Sequence, residues 1–483
     1  MSVATLSRTA APVDRGPAPR RRRRFRRALG WGVAAAVYAL VALWAFHLKA
    51  TESTEAFVDL YLDGVHLTAE GTVGDVRARE AAEYLPGSRV LARDAADPRA
   101  QALAQGQRDW LADGTVPGEG TRYEELVTSA LLDIRTLTGA TFDDPRSETV
   151  AVPGAAVAGW TDRWRYVWPR DASFVAAALA RSGHPDDAVE VLGFVEEAQS
   201  AGGGFQARYL PDASGVPDGR GIQLDGSGWV LWSTATVLGT LPDGAPREAA
   251  LERLRPLVDR ATDRILELTA DPPHLPPPSA DYWEVQEDEL TLGTAAPMLA
   301  GLEAAAGIYD GAGEPDRAGA AAGRAALLRA AVEETFGSDG YTRYAGDAGP
   351  MTALLGADGR DAATAMLLPP FVTEPLAGAE EAWLTSAEEM ARPAGGLAPG
   401  SGWKRDGISW TPETTLYALA AAHNDHPGRA TAWLDWISAH RTGSGAIPEK
   451  VLAGGAPAAV APLTWSSANV VLAVAALEDA GAL

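Results

Sequence analysis

Five short stretches of this chain set carboxylates, arginines and aromatic rings side by side. The densest runs Trp164-Arg165-Tyr166-Val167-Trp168-Pro169-Arg170-Asp171. The others hold Gln223 with Asp225, then Asp281-Tyr282-Trp283-Glu284, then Trp403-Lys404-Arg405-Asp406, and last Pro448-Glu449-Lys450, followed by Pro462-Leu463-Thr464-Trp465-Ser466. Aromatic faces beside paired donors and acceptors suit a pyranose ring, which has apolar faces and a rim of hydroxyls. Two carboxylates on opposite sides of a cleft are the minimal equipment for cleaving a glycosidic bond. One protonates the leaving oxygen and the other activates water or attacks the sugar.

Each residue also has a plainer local reading. Asp171 and Asp225 stand at the start of expected helices, where an acid caps free N–H groups or opposes the helix dipole. Asp281 fits a turn. Glu284 follows Trp283, and an apolar neighbour favours a protonated carboxyl, as a general acid needs. Glu449 can pair with the adjacent Lys450 at a surface. A further long stretch with Tyr341, Tyr344 and Asp347 reads as a surface loop.

These stretches lie between regular elements. From residue 121 onward, Ala- and Leu-rich segments with helical periodicity recur twelve times. They fall near 122–138, 171–182, 185–199, 226–239, 247–268, 291–309, 315–336, 359–369, 379–391, 411–423, 427–440 and 464–480. Short links such as Gly183-His184 and Asn424-Asp425-His426 follow the even segments, and links of about twenty to thirty residues follow the odd ones. Alternation of this kind predicts an all-α toroid of six helix pairs, an (α/α)6 barrel, with every long link on one rim. Loops held by a rigid scaffold carry function, so the rim is where the site belongs. Residues 47–120, with their Pro, Gly and charges, read as a spacer.

Composition narrows the chemistry. With no Cys there are no disulfides, thiolate metal sites or cysteine nucleophiles, and the seven His form no HExxH pair. Residues 1–27 hold nine Arg and one Asp, a net of +8; against a total of −23, the rest of the chain carries −31. An acidic body repels phosphates and argues against nucleic acid as a partner. Residues 28–46 contain no charged side chain, and nineteen helical residues span about 28 Å, close to a bilayer core. The Arg cluster before them predicts a single-pass anchor in the cell membrane, with residues 1–27 cytoplasmic and the body outside. A cleaved signal peptide is the alternative.

Taken in order, the quoted motifs over residues 121–483 resemble glycoside hydrolase family 15, the group of glucoamylases, glucodextranases and bacterial trehalases. Trp168-Pro169-Arg170-Asp171-Ala172 is the most specific match. The resemblance implies an (α/α)6 barrel and an exo-acting, inverting α-glycosidase, with Glu284 as general acid and Glu449 as general base. It also implies that Arg170, Asp171 and Arg405 hold the terminal sugar, that Trp168 and Trp283 form apolar walls, and that Asp225 belongs to the substrate site. No metal or organic cofactor is implied. Residues 47–120 are too short for the β-sandwich found in many bacterial members, and Gln286 stands where an Arg is common. A carbohydrate-binding barrel without strong catalysis is the rival reading.

Overall fold

A computed structural model describes residues 57–140, 152–161, 163–345 and 359–483. The expected anchor over 28–46 lies outside these residues; among those described, no helix is long and apolar enough to cross a membrane.

The barrel is built from α2 (Glu124–Leu137), α3 (Pro169–Arg181), α4 (Pro185–Ala198), α5 (Asp225–Thr240), α6 (Ala245–Leu268), α7 (Leu292–Gly311), α8 (Pro315–Thr335), α9 (Ala379–Met390), α10 (Thr411–His423), α11 (Pro427–Ala439) and α12 (Thr464–Asp479), together with a 3-10 segment, Ala362–Leu367. α1 (Pro98–Asp113) precedes them. Proline occupies the first position of α3, α4, α8 and α11, where its fixed φ is preorganised and its missing N–H is not needed.

α3, α5, α7, the 3-10 segment, α10 and α12 each pack on the next, and α12 packs back on α3, which closes the inner ring. α2, α4, α6, α8, α9 and α11 surround it. Sequence separates the two classes. α3 is buried from Pro169 to Ala180 and α12 from Thr464 to Leu477, apolar or small around their whole girth. α6 buries only a stripe of Ala250, Leu254, Leu257, Val258, Ala261 and Ile265. Small residues let the inner helices approach closely. A Cβ on Gly228 of α5 would sit 1.9 Å from the Pro297 carbonyl oxygen of α7.

Two expectations change. The eighth segment is not an α-helix but six residues of 3-10 turn. Asp361 caps it through Ala363 N–H, and Pro369 and Pro370 follow at once, removing two donors that a longer helix requires. Residues 57–120 are not a loose spacer. β1 (Leu62–Leu67) and β2 (Val73–Arg77) form an antiparallel hairpin that belongs to the same compact unit as the barrel. Buried Arg89 donates to Asp133 at 2.5 Å and to the Ser129 carbonyl of α2, and Asp63 accepts from Ser444 N–H at 2.7 Å. Long-range polar contacts, which leave no local pattern, order this segment.

All six long links run from the end of an outer helix to the start of an inner one. They therefore gather where the six inner segments begin, the ends at which backbone N–H groups point outward and favour anionic groups. Two small sheets brace them: β3 (Phe205–Gln206) with β4 (Ile222–Gln223), and β5 (Ser409–Trp410) with β6 (Lys450–Val451) and β7 (Pro457–Ala458).

Candidate active site

On this rim lies a pocket of about 450 Å³, within the usual size range of small-molecule sites. Six of the 15 Trp line it: Trp164, Trp168, Trp283, Trp403, Trp410 and Trp465. Its charged lining, Arg163, Arg170, Arg208, Arg220 and Lys450 against Asp171, Glu284, Glu413 and Glu449, nearly balances. That local balance, inside a strongly acidic chain, suits a neutral ligand.

Arg170 organises one side. It is 4% exposed in the first turn of α3. Its Nη1 donates to Asp225 Oδ2 at 2.9 Å and its Nη2 to Glu284 Oε1 at 3.2 Å, while Nε lies 3.5 Å from Asp171 Oδ1. Burial disfavours its charge, but the three carboxylates outweigh burial and hold Arg170 protonated. The guanidinium also stacks 5.0 Å from the Trp465 ring. One cation among three buried carboxylates cannot neutralise them all. Burial pushes Asp171 up to about 7 against the pull of Arg170, with Glu284, Asp225 and Glu449 adding to the rise.

Neither Asp171 nor Asp225 acts as a helix cap. Trp168 and Leu224 occupy the cap positions, without side-chain caps. Asp225 sits behind Arg170 and fixes it, outside the pocket lining, whereas Asp171 faces the pocket.

Glu284 ends a turn in which Trp283 N–H donates to Asp281 Oδ1 and Glu284 N–H to the Asp281 carbonyl, both at 2.9 Å. Its φ of +57° is a left-handed conformation that non-glycine residues adopt sparingly and that clusters at functional sites. The apolar surroundings expected from Trp283 are not what its carboxyl meets. Oε1 accepts from Arg170 and from Gln223 Nε2 at 2.8 Å, and Oε2 accepts from Arg220 Nη1 at 2.6 Å. The Trp283 ring turns the other way, onto Arg343 at 3.8 Å and edge-on to Trp403 at 4.8 Å.

The loop that reads as a surface feature thus holds a buried strut. Arg343 is fully buried and bonds Asp281, Glu287 and Asp361, with Nη1 to Asp361 at 2.7 Å and Nη2 to Glu287 at 2.6 Å. Tyr344 Oη donates to the same Glu287 at 2.9 Å.

Glu449 stands on the next wall. Its backbone is clamped by Thr411 N–H donating to its carbonyl at 3.0 Å and by its own N–H donating to Val460 at 2.8 Å. Trp164 Nε1 donates to Oε1 at 3.1 Å. Lys450 Nζ lies 3.2 Å from Oε2, an ion pair without hydrogen-bond alignment, and stacks on Trp410 at 4.1 Å. The surface pairing read from sequence is present, but inside the pocket wall.

Trp168 lines the pocket under Arg208, whose guanidinium lies 5.0 Å from its ring. Arg405 does not join the site. Asp406 Oδ1 accepts from Ile408 N–H at 3.1 Å, Gly407 takes φ +74°, and this tight turn leaves Lys404 and Arg405 exposed on its outer side. Arg220 is the cation that reaches Glu284 instead.

Arg208, Arg220, Glu413, Val58 and Tyr61 escaped the sequence reading. Arg220 lies in a Gly-flanked loop with no signal. Glu413 looks like an ordinary first-turn acid of α10. Val58 and Tyr61 come from the segment before β1, where Tyr61 N–H donates to the Ala459 carbonyl at 2.9 Å and the Tyr61 ring packs 5.7 Å from Trp164.

Several buried polar atoms here make no hydrogen bond within the protein: Glu413 Oε2, the indole N–H groups of Trp283, Trp403, Trp410 and Trp465, and Asp171 Oδ1 and Arg170 Nε, which face each other only as a long ion pair. Buried polar atoms are normally satisfied, so this concentration marks a place for a ligand rich in hydroxyls.

The fold is shared with known proteins. No protein-family model and no curated protein matches the chain. Among solved structures, a wild-type glycosidase superposes with a TM-score of 0.58 at 21% identity, over 78% of this chain and 99% of its own. A variant glycosidase in complex with glucose aligns equally well, with a TM-score of 0.58. A bacterial glucoamylase complexed with acarbose gives 0.61 at 16% identity, over 78% of this chain and 58% of that one. A family 15 glucoamylase from Hypocrea jecorina gives 0.54 at 12%, over 78% and 73%. The chain therefore has the six-hairpin glycosidase fold.

Proposed function

We propose that this protein is a glycoside hydrolase acting on a neutral, hydroxyl-rich sugar, and that it is an exo-acting, inverting α-glucosidase. The observation that carries the reading is the pocket itself: Glu284 and Glu449 in one cavity walled by six Trp and lined with unpartnered donors and acceptors. The glucose and acarbose in the neighbouring structures' titles support the substrate class.

In this reading Glu449, oriented by Trp164 Nε1, takes a proton from the attacking water. Glu284 protonates the leaving oxygen. Both its oxygens accept from donors here, so it must exchange a partner to present a proton. Oε2 faces Arg220, whose side chain is 38% exposed, and this pair opens when substrate enters. Asp171 and Arg170 bind hydroxyls through Oδ1 and Nε. Trp168 and Trp283 exclude water. Residues 28–46 anchor the chain, with the barrel outside the membrane, as their flanking charges suggest.

Proton NMR on maltotetraose, isomaltotriose and trehalose tests this. New β-glucose before mutarotation is expected, and the sugar consumed names the linkage. New α-glucose refutes inversion, and no change in any sugar favours the binding-barrel reading. Glu284→Gln and Glu449→Gln should each lower turnover by about 10²–10⁴-fold with folding intact.

A further inference from the structure

Glu413 is the third residue of α10 and is 2% exposed, yet it lines the pocket. Among the described residues no cation pairs with it; Glu449, Arg170 and Lys450 act on it only through space. Its Oε2 has no hydrogen-bond partner. The neighbouring side chains are committed elsewhere: Thr411 Oγ1 donates to the Pro448 carbonyl at 2.6 Å, and Thr414 Oγ1 to the Trp410 carbonyl at 2.7 Å. A buried, unpaired carboxyl is costly to leave unmatched, and a purely structural site would be filled more cheaply by an apolar side chain. Its position beside a pocket rich in orphaned donors and acceptors points to a group supplied by the ligand.

We propose that Glu413 is a further substrate-binding residue, a neutral carboxylic acid whose Oε2–H donates a hydrogen bond to a hydroxyl of the sugar seated against Glu449. The proposal rests on the glycosidase reading of the pocket and adds a requirement to it, that this carboxyl bind as an acid. Burial pushes Glu413 up to about 8, and Glu449 adds to the rise. The backbone N–H of Glu413, Arg170 and Lys450 oppose it. The proton is therefore retained at neutral pH and lost above pH 8. On ionisation the carboxyl ceases to donate, and the hydroxyl can bond it again only by turning and giving up its own other partner. Binding should weaken along the same limb.

The experiment measures binding of glucose and 1,5-anhydroglucitol, neither of which has a glycosidic bond to cleave, to the full-length protein by calorimetry at pH 6, 7.5 and 9.5, for the wild type, Glu413→Leu and Glu413→Gln. We expect wild-type affinity to fall roughly tenfold between pH 6 and 9.5, the scale of one lost hydrogen bond. Glu413→Leu should show a comparable loss at every pH. Glu413→Gln, which keeps a donor but cannot ionise, should recover most of that loss at pH 6 and fall less than wild type toward pH 9.5; Asp171, raised to about 7 in the same pocket, titrates in all three proteins, so the difference between variants is what is read. Leucine binding as well as wild type, or Gln falling as far as Leu, overturns the proposal. So does a Gln variant whose alkaline fall equals that of wild type, and this arm decides even if the Leu variant does not fold. A wild type that binds neither ligand and cleaves none of maltotetraose, isomaltotriose and trehalose removes the glycosidase reading itself.

Discussion

The burial of Glu413 has a thermodynamic consequence that needs no substrate. In the folded protein its carboxyl is raised from 4.5 to about 8. The folded state therefore holds a proton that the unfolded chain gives up above pH 4.5. Stability is highest where both states are protonated and falls as pH rises toward the folded value. With about 1.4 kcal/mol per unit, the loss due to this one group between pH 5 and pH 8 is on the order of 3–4 kcal/mol. Glu413→Gln carries no titrating proton and should be spared that loss. The assay is urea unfolding of the wild type and Glu413→Gln at half-unit intervals from pH 5 to 8. Other groups, including Asp171, titrate in both proteins and cancel to first order. The stability of Glu413→Gln relative to wild type should rise steadily across the range, by a total on the order of 3–4 kcal/mol. Parallel curves would refute the reasoning, because they would mean that Glu413 titrates alike in the folded and unfolded chains.

Two further perturbations probe the scaffold. Gly228→Ala places a methyl 1.9 Å from the Pro297 carbonyl oxygen, backbone that cannot step aside. It should destabilise by about 3 kcal/mol or more, measured by urea unfolding, and a loss under 1 kcal/mol would contradict the close helix contact. Arg343→Met leaves Asp281, Glu287 and Asp361 buried without their shared cation and should cost about 3–5 kcal/mol at pH 7.5. Part of that loss should return at pH 5.5, where the unpaired carboxyls take up protons. An equal loss at both pH values would mean that charge is not the cause.

The barrel was legible because its signal is local and repeated. Helical periodicity and the alternation of short and long links are written into consecutive residues, and they placed α2 to α12 within a few residues of their observed bounds. What failed was set by contacts distant in sequence. Val65, Ala100 and Ala104 are fully buried, but the polar ties that order their segment run from Arg89 to Asp133 and from Asp63 to Ser444. In the site, Asp171 and Glu284 were readable because arginine or aromatic neighbours stand beside them, and Glu449, between Pro448 and Lys450, only through the resemblance of the motifs in series. Arg343 sits between two tyrosines in a stretch that resembles any surface loop, and its three carboxylate partners come from two other loop positions and the cap of the 3-10 segment. Arg405 failed for the opposite reason. It carries the right residue type at the right place in the chain, but the Asp406–Ile408 turn fixes its direction, and spacing alone does not specify a direction.

The segment before β1 and the last loop meet at Ala459, whose N–H donates to Asp59 and whose carbonyl accepts from Tyr61, both at 2.9 Å, and Tyr61 forms part of the pocket wall. α12, the last helix, is the one that closes the ring on α3. Segments about 400 residues apart in the chain are thus both required before the pocket exists. Assembly cannot proceed hairpin by hairpin to a working intermediate, because closing the circle requires contacts across nearly the whole length, which are slow to form. A chain interrupted anywhere before α12 lacks a competent cavity, however many helix pairs it has completed. The cavity in this molecule appears all at once, at the end of folding.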